Sequence, residues 1–493
     1  MDAYDALMNY ERQTQALAQV AGRLGWDQET VMPREAGPQR AEESEAMEQV
    51  LHARRTDPQV GDWLAAIDEN TLDATGKANL RHIRRGFERT NRVPAKLAGE
   101  LARVTSSAQR KWADARAEDD VAAFVPVLEQ VVALKREEAA ALADGGDLYD
   151  ALLDDYEPGA TQAELQAMFD ALRPRLVDLR DRIMGSEHHP SALTGAFDEQ
   201  RQMKLTREIA KAFGYDMARG RIDKAVHPFS SGSGLDVRIT TRTSPTDPFG
   251  SIYSTIHEVG HACYEQNIDD DYLLTPLGAG VSMGVHESQS RIYENQLGRS
   301  QAFTGWLFGK MSDAFGGLSV PDAEAFYGAV NRVTPGFIRT ESDEVQYNLH
   351  VLLRFDLERK MIDGSLAVAD LEEAWNTRFE KDFGVRVASP SEGCLQDVHW
   401  SVGLFGYFPT YSLGNVYAGC LMKALRAQMP EVDTHLAQGE PEKATKWLTD
   451  NLQRHGGLFE PKEVVTRACG GEAPTEEPLL DYLEEKFSGI YRL

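Results

Sequence analysis

Ser251-Ile-Tyr-Ser-Thr-Ile-His-Glu-Val-Gly-His-Ala-Cys-Tyr-Glu-Gln266 is the stretch on which the reading of this chain turns. Its apolar residues Ile252, Ile256, Val259, Ala262 and Cys263 predict a largely buried helix. Inside it stands His257-Glu258-Val259-Gly260-His261, the His-Glu-x-x-His pattern of helical zinc sites. Residues four apart on a helix lie one turn above each other, so both imidazoles face one point while Glu258 projects beside it. The ordinary alternative is two surface histidines on an amphipathic helix. On a buried helix two unpartnered imidazoles are costly, and a shared metal removes that cost. Such a metal lowers the pKa of a bound water towards neutrality, and the neighbouring carboxylate takes the proton as the water attacks a polarised carbonyl. The five residues therefore encode hydrolysis.

The third ligand cannot be Glu265, because eight residues of helix place it about 12 Å along the axis from His257. Glu265 reads instead as a partner of the ligands or as a solvated side chain. Tyr264 and Asn267 occupy the places where a metzincin extension carries its glycine and third histidine, so that pattern is absent. A second helix must supply the donor, and Gly284-Val-His-Glu-Ser-Gln-Ser-Arg-Ile-Tyr-Glu-Asn295 is the next segment dense in candidates. His286, Glu287 and Glu294 all qualify, and spacing leaves the choice mainly between Glu287 and Glu294. A His/His/Glu set leaves the fourth tetrahedral position open, as a catalytic zinc site requires.

Composition bounds the class. The 493 residues are 42% hydrophobic and 26% charged, values of a globular protein with a sizeable core. Acidic residues outnumber basic ones by 78 to 52, a formal charge of −26 that argues against nucleic acid or an anionic membrane as partner. Cys263, Cys394, Cys420 and Cys469 are widely spaced, which predicts reduced thiols rather than a disulfide framework. The start, Met1-Asp-Ala-Tyr-Asp-Ala-Leu, lacks the basic and apolar regions of a signal peptide, so a cytoplasmic location is expected. Trp400 to Met422 carries no charge and has the length of a membrane span. Pro409, Gly403, Gly406, Gly414, Ser401, Ser412 and Asn415 interrupt it, so a buried loop and helix near the site are expected instead.

Along the chain, residues 1 to 56 read as two helices separated by Gly25-Trp-Asp-Gln-Glu-Thr-Val-Met-Pro33. Further helical patterns cover about 75 to 90, 95 to 117, 120 to 143, 161 to 186 and 198 to 213, with Thr161 placed as a helix cap after the turn Glu157-Pro-Gly-Ala. The texture changes in Ala225 to Arg242, where Gly and Ser precede alternating Val237 and Ile239, the best strand candidate in the chain. A strand there could offer its edge to an extended peptide. The expected organisation is one unit over 1–493, with a helical wall or lid over about 1–215 and a metal-site portion over about 216–493. Downstream, Arg339 and His399 sit amid apolar neighbours. A guanidinium can hold a terminal carboxylate bidentately, and a histidine can donate to an oxyanion, though such groups are also commonly structural.

Taken together, several segments resemble the carboxypeptidase Taq family of zinc metallocarboxypeptidases nearly end to end. They are Trp26-Asp-Gln-Glu-Thr30, His227-Pro-Phe229, Asp236-Val-Arg-Ile-Thr240, His257-Glu-Val-Gly-His261, His286-Glu-Ser-Gln289, Ile338-Arg-Thr-Glu-Ser-Asp343 and Gly393-Cys-Leu-Gln-Asp-Val-His-Trp400. Ser342 stands where the family has alanine, a small change that leaves Arg339 and Asp343 in place. The resemblance implies Glu287 as third ligand beside His257 and His261, Glu258 as general base, and Arg339, His399, His227 and Arg238 as substrate-site residues. It also implies a mainly α, neurolysin-like helical fold with a long central groove and a small β-sheet beside the zinc helix, and a homodimer. The expected activity is release of C-terminal amino acids from peptides with zinc, or cobalt, as cofactor. An oligopeptidase or endopeptidase on the same scaffold is the alternative, and a non-catalytic peptide-binding scaffold a more distant one.

Overall fold

The structure is a computed structural model and describes residues 2–493. It is mainly helical. The helices before the sheet are α1 (Ala3–Thr30), α2 (Gly37–Arg55), α3 (Pro58–Ala66), α4 (Ala74–Arg92), α5 (Ala95–Glu118), α6 (Val121–Ala143), α7 (Leu148–Leu153), α8 (Gln162–Gly185) and α9 (Glu199–Ala212). The strands β1 (Ile222–Lys224), β2 (Ser230–Ser233) and β3 (Asp236–Thr241) follow, then α10 (Pro248–Asn267) and α11 (Met283–Arg291). Beyond them come α12 (Gln301–Phe315), α13 (Ala323–Val330), α14 (Glu344–Asp363), α15 (Leu371–Phe383), α16 (Pro409–Gln428), α17 (Val432–Gln438), α18 (Glu442–Asn451), α19 (Pro461–Ala468) and α20 (Glu477–Tyr491).

Part of the acidic excess goes into starting these helices. Asp73, Asp120, Asp198 and Asp247 each accept a first-turn N–H, as a carboxylate at the positive end of a helix dipole should. Thr161 caps α8 through the amide of Glu164, in agreement with the sequence. The first helix differs from expectation. It runs unbroken through Gly25 and ends only at Thr30, before Pro33. Trp26, buried on α1, lies beneath the guanidinium groups of Arg238 and Arg221, at 4.5 and 5.0 Å. Packing of that indole outweighs the roughly 1 kcal/mol that a glycine costs inside a helix.

Two hydrophobic clusters result. Leu7, Val60, Leu64, Leu80 and Ile83 form a small core of their own within α1, α3 and α4. Helices from α5 onwards share the main core, which runs from Leu97 to Tyr491. The three strands are ordered β1-β3-β2, with β1 parallel and β2 antiparallel to β3. Val237 and Ile239 of β3 are fully buried, and Thr241 donates to the carbonyl of Ser251, which fixes α10 beside the sheet. Trp400 to Met422 forms the expected buried loop leading into α16. Among the described residues no helix is long and apolar enough to cross a membrane.

The site rests on α10, α11 and α16. A Cβ built at Gly260 of α10 would lie 2.5 Å from the carbonyl oxygen of Gln289 and 2.7 Å from the Cα of Ser290 on α11. One built at Gly414 of α16 would lie 2.7 Å from the Cβ and Cγ of Glu287. Both glycines are therefore required by close approach of neighbouring helices. We expect Gly260→Ala to destabilise the fold by about 1–3 kcal/mol through overpacking, read as a lowered midpoint in thermal unfolding.

Candidate active site

His257 and His261 project from successive turns of α10 towards Glu287 on α11. The Nε2 atoms of His257 and His261 lie 3.8 and 3.5 Å from Oε2 of Glu287. One donor atom from each of the three residues lies within 4.8 Å of the others. These separations exceed a hydrogen bond and match donors spaced about 2 Å from a common cation, so the set fits a metal.

The opposite nitrogens explain why the rings face that way. Nδ1 of His257 is 2.9 Å from Oε2 of Glu294. Nδ1 of His261 is 2.5 Å from Nδ1 of His286, whose Nε2 is 2.9 Å from Oε1 of Glu265. Glu265 accepts from His286, which accepts from His261, and the Nε2 lone pair of His261 is left to face Glu287. Each imidazole thus has its tautomer set by a carboxylate, directly or through one ring. Glu294, an open choice as ligand from spacing, serves instead as the partner of His257. It does so from a π-helical turn, Ile292–Leu297, that continues α11.

Charge is balanced locally. Arg291 donates to Oε1 of Glu287 at 2.6 Å, and Arg299 to Oε1 of Glu294 at 3.1 Å. Burial opposes ionisation of Glu287, but Arg291 and the two histidines outweigh it and hold the carboxyl well below the usual range. Burial drives His261 down to about 3, keeping a neutral ring suited to ligation. Glu258, on the same helix and 7% exposed, has no comparable cation, and burial pushes it up to about 7. A carboxyl poised near neutrality is what a group that takes and returns a proton requires.

A second cluster centres on Asp397. Arg339 donates to Oδ1 through Nε and Nη2, at 3.1 and 2.8 Å, and Arg354 to Oδ2 at 2.6 Å. His399 stands beside it, with Nε2 at 3.2 Å from the Tyr411 hydroxyl and its ring 4.4 Å from that of Phe408. Tyr347 joins the two clusters. Its hydroxyl accepts from Arg339 at 3.2 Å, and its ring lies 4.2 Å under Arg291, the arginine that holds Glu287.

The structure thus gathers His257, His261, Glu258 and Glu287 at one place and Arg339 with His399 at another joined to it. Arg238 on β3 pairs with Asp236 at 2.8 Å and packs on Trp26, and His227 is exposed before β2. Among the described residues neither makes a hydrogen bond, ion pair or ring contact with the Glu287 or Asp397 clusters. Sequence reasoning missed Arg291, Asp397, Tyr347 and Tyr411. Arg291 was readable, since it stands four residues after Glu287 on one helical face. The partners of Asp397 come from segments far apart in the chain and left no local signal.

Residues 6–487 match the carboxypeptidase Taq (M32) metallopeptidase family. The chain belongs to that family. It is 41% identical to thermostable carboxypeptidase 1 of Thermus thermophilus, with 99% of each chain covered. Its fold superposes on the M32 carboxypeptidase of Deinococcus radiodurans with a TM-score of 0.96 at 37% identity, covering 100% of both chains. It likewise superposes on metallocarboxypeptidase 1 of Trypanosoma cruzi with a TM-score of 0.95 at 32% identity, covering 98% of this chain and 99% of the other. This M32 protein is a metal-dependent carboxypeptidase with a mainly α fold.

Two outcomes are expected of the metallopeptidase. Replacing His286 with alanine frees the His261 ring and should weaken metal affinity by about 10–100-fold in a competition titration against a chromogenic chelator. His350, fully buried between Phe379 and Phe383, has neither ring nitrogen hydrogen-bonded among the described residues. Burial, with Arg354 and Arg339 adding to it and Asp397 opposing, holds its pKa well below the ordinary value. The folded chain then refuses a proton that the unfolded chain accepts below about pH 6.5, so stability falls as pH drops through that value. Burial lowers His82 and His399 in the same direction. His350→Leu should flatten the decline between pH 7 and 5 by up to about 1.4 kcal/mol per pH unit, measured by urea denaturation.

Proposed function

We propose that His257, His261 and Glu287 hold a catalytic zinc or cobalt ion and that Glu258 is the general base of C-terminal peptide hydrolysis. The observation that carries this reading is the convergence of three ligand atoms from α10 and α11 within 4.8 Å. When bound, such a metal polarises the scissile carbonyl and acidifies the attacking water. Glu258 takes the proton of that water at a carboxylate oxygen and returns it to the leaving amine. His399, braced by Tyr411, donates to the oxyanion that develops on the carbonyl. Arg339, held in orientation by Asp397, receives the substrate's terminal carboxylate. In the same reading His227 and Arg238 contact the peptide from the side of the sheet, whose edge strand β2 packs beside α10.

In this reading the chain works as one unit. Residues from about 1 to 215 form the wall or lid, and about 216 to 493 carry the metal site. It acts as a homodimer on peptides with a free C-terminus, with no nucleic-acid or membrane partner. Its four free thiols suit the reducing cytoplasm.

Mass spectrometry of an unblocked peptide checks the whole reading. The expected result is a ladder shortened one residue at a time from the C-terminus, lost on chelation and restored by zinc or cobalt. Glu258→Gln should retain bound metal while turnover falls by about 10²–10⁴-fold; unchanged turnover would remove Glu258 from its role. Amidating the substrate's C-terminus should raise KM for the parent far more than for an Arg339→Ala variant, because the amide lacks the charge that Arg339 pairs.

A further inference from the structure

Two buried carboxylates outside the ligand set, Glu157 and Glu358, are 1% and 0% exposed and make no ion pair among the described residues; their partners are uncharged donors. Both engage a single short segment, Tyr149 to Glu157, at the junction of α7 and α8. At its beginning, the hydroxyl of Tyr149 donates to Oε1 of Glu358. Glu358 also accepts from the indole N–H of Trp400 at 3.1 Å and the amide of Gly406 at 3.3 Å. The segment from His399 to Tyr407 is thereby tied at two points. A Cβ at Gly406 would lie 2.8 Å from the backbone of Leu152 and Leu153, so the same segment is pressed against α7.

At its other end, Glu157 accepts from the amide of Gly284 at 2.9 Å and the hydroxyl of Tyr417 at 3.2 Å. Gly284 is in the first turn of α11, the helix that carries Glu287. The carbonyl of Tyr156 accepts from the amide of Met283 at 2.9 Å, and its ring meets that of Tyr407 edge-on at 5.1 Å. A Cβ at Gly284 would lie 2.6 Å from Oε2 of Glu157, so helix and carboxylate are in direct contact. Nine residues therefore touch both walls of the site.

We propose that Tyr149–Glu157 is a positioning strut that sets the gap between the metal-ligand helix and the His399–Tyr407 segment. Glu157 holds the first wall, and Tyr149 with Glu358 holds the second. The assignment rests on Glu287 as a ligand and His399 as a substrate-side residue. None of the strut residues touches the reacting atoms. Loss of either anchor should therefore move a different kinetic or binding constant.

The test uses the full-length enzyme and reads zinc affinity by chelator competition, kcat and KM at saturating zinc, and thermal midpoint. Glu157→Ala should weaken zinc binding by about tenfold or more, and Glu157→Gln, which keeps an acceptor for Gly284, should restore most of it. Glu358→Gln cannot satisfy Tyr149, Trp400 and Gly406 at once. It should leave zinc affinity unchanged and lower kcat by about tenfold, with KM little altered. If Glu157→Ala does not fold, Tyr417→Phe removes one of its partners and should weaken zinc binding by a smaller factor. Variants that lower only the thermal midpoint, with zinc affinity and kcat unchanged, would overturn the strut. Glu287→Ala is the control: full zinc affinity in that variant would instead overturn the ligand assignment on which the strut depends.

Discussion

Contact between the backbones of α10 and α11 at Gly260 is the constraint on which the site depends. With a side chain there, the two helices would stand apart, and Glu287 could not come within 3.5 to 3.8 Å of both imidazoles. Gly414 plays the same part for α16, which presses on the stem of Glu287 from the other side. The geometry of the His257, His261 and Glu287 cluster is thus set by main-chain packing. Side-chain hydrogen bonds then refine ring orientation through Glu294 and through His286 with Glu265.

Around this core the buried charged groups are linked to one another. Glu287, Arg291, Tyr347, Arg339, Asp397 and Arg354 form a continuous chain of ion pairs, hydrogen bonds and one ring contact. Burial makes each link electrostatically stronger and makes any unpaired member costly. The carboxyls left without a cation, Glu157, Glu258 and Glu358, are the ones pushed up to about 7 by burial. Environment alone therefore separates carboxylates that neutralise arginines from those that accept uncharged donors or stand ready for a proton.

Much of this was legible in the chain itself. Helix positions followed from apolar periodicity, and the two histidines and Glu258 lie within five consecutive residues. The family resemblance added Glu287, which spacing alone did not separate from Glu294. What stayed hidden depends on contacts between distant segments. Glu294 and Glu287 are both acidic residues on one helical segment, and only the π-helical turn decides which one meets the back of His257. Asp397 lies inside a quoted motif, yet its two arginines arrive from positions 339 and 354. The turn at Glu157 read as punctuation because its partners, Gly284 and Tyr417, are more than a hundred residues away. Gly25 misled for the opposite reason: a local helix breaker was overruled by the burial of Trp26.

Among the first four helices, α1, α3 and α4 share a small hydrophobic core, and α1 and α4 also meet the rest of the molecule through polar groups. Arg23 pairs with Asp236, Gln19 bonds Ser233, Arg85 pairs with Glu460, and Arg89 pairs with Asp155 and Glu138. Most of these side chains are partly exposed, so dissolved ions screen the attraction between them. A junction held by charge as well as by the packing of Trp26 is weakened by salt, while the core inside these helices is not. Ionic strength, more than temperature, then bears on how firmly these helices are held against the rest of the molecule.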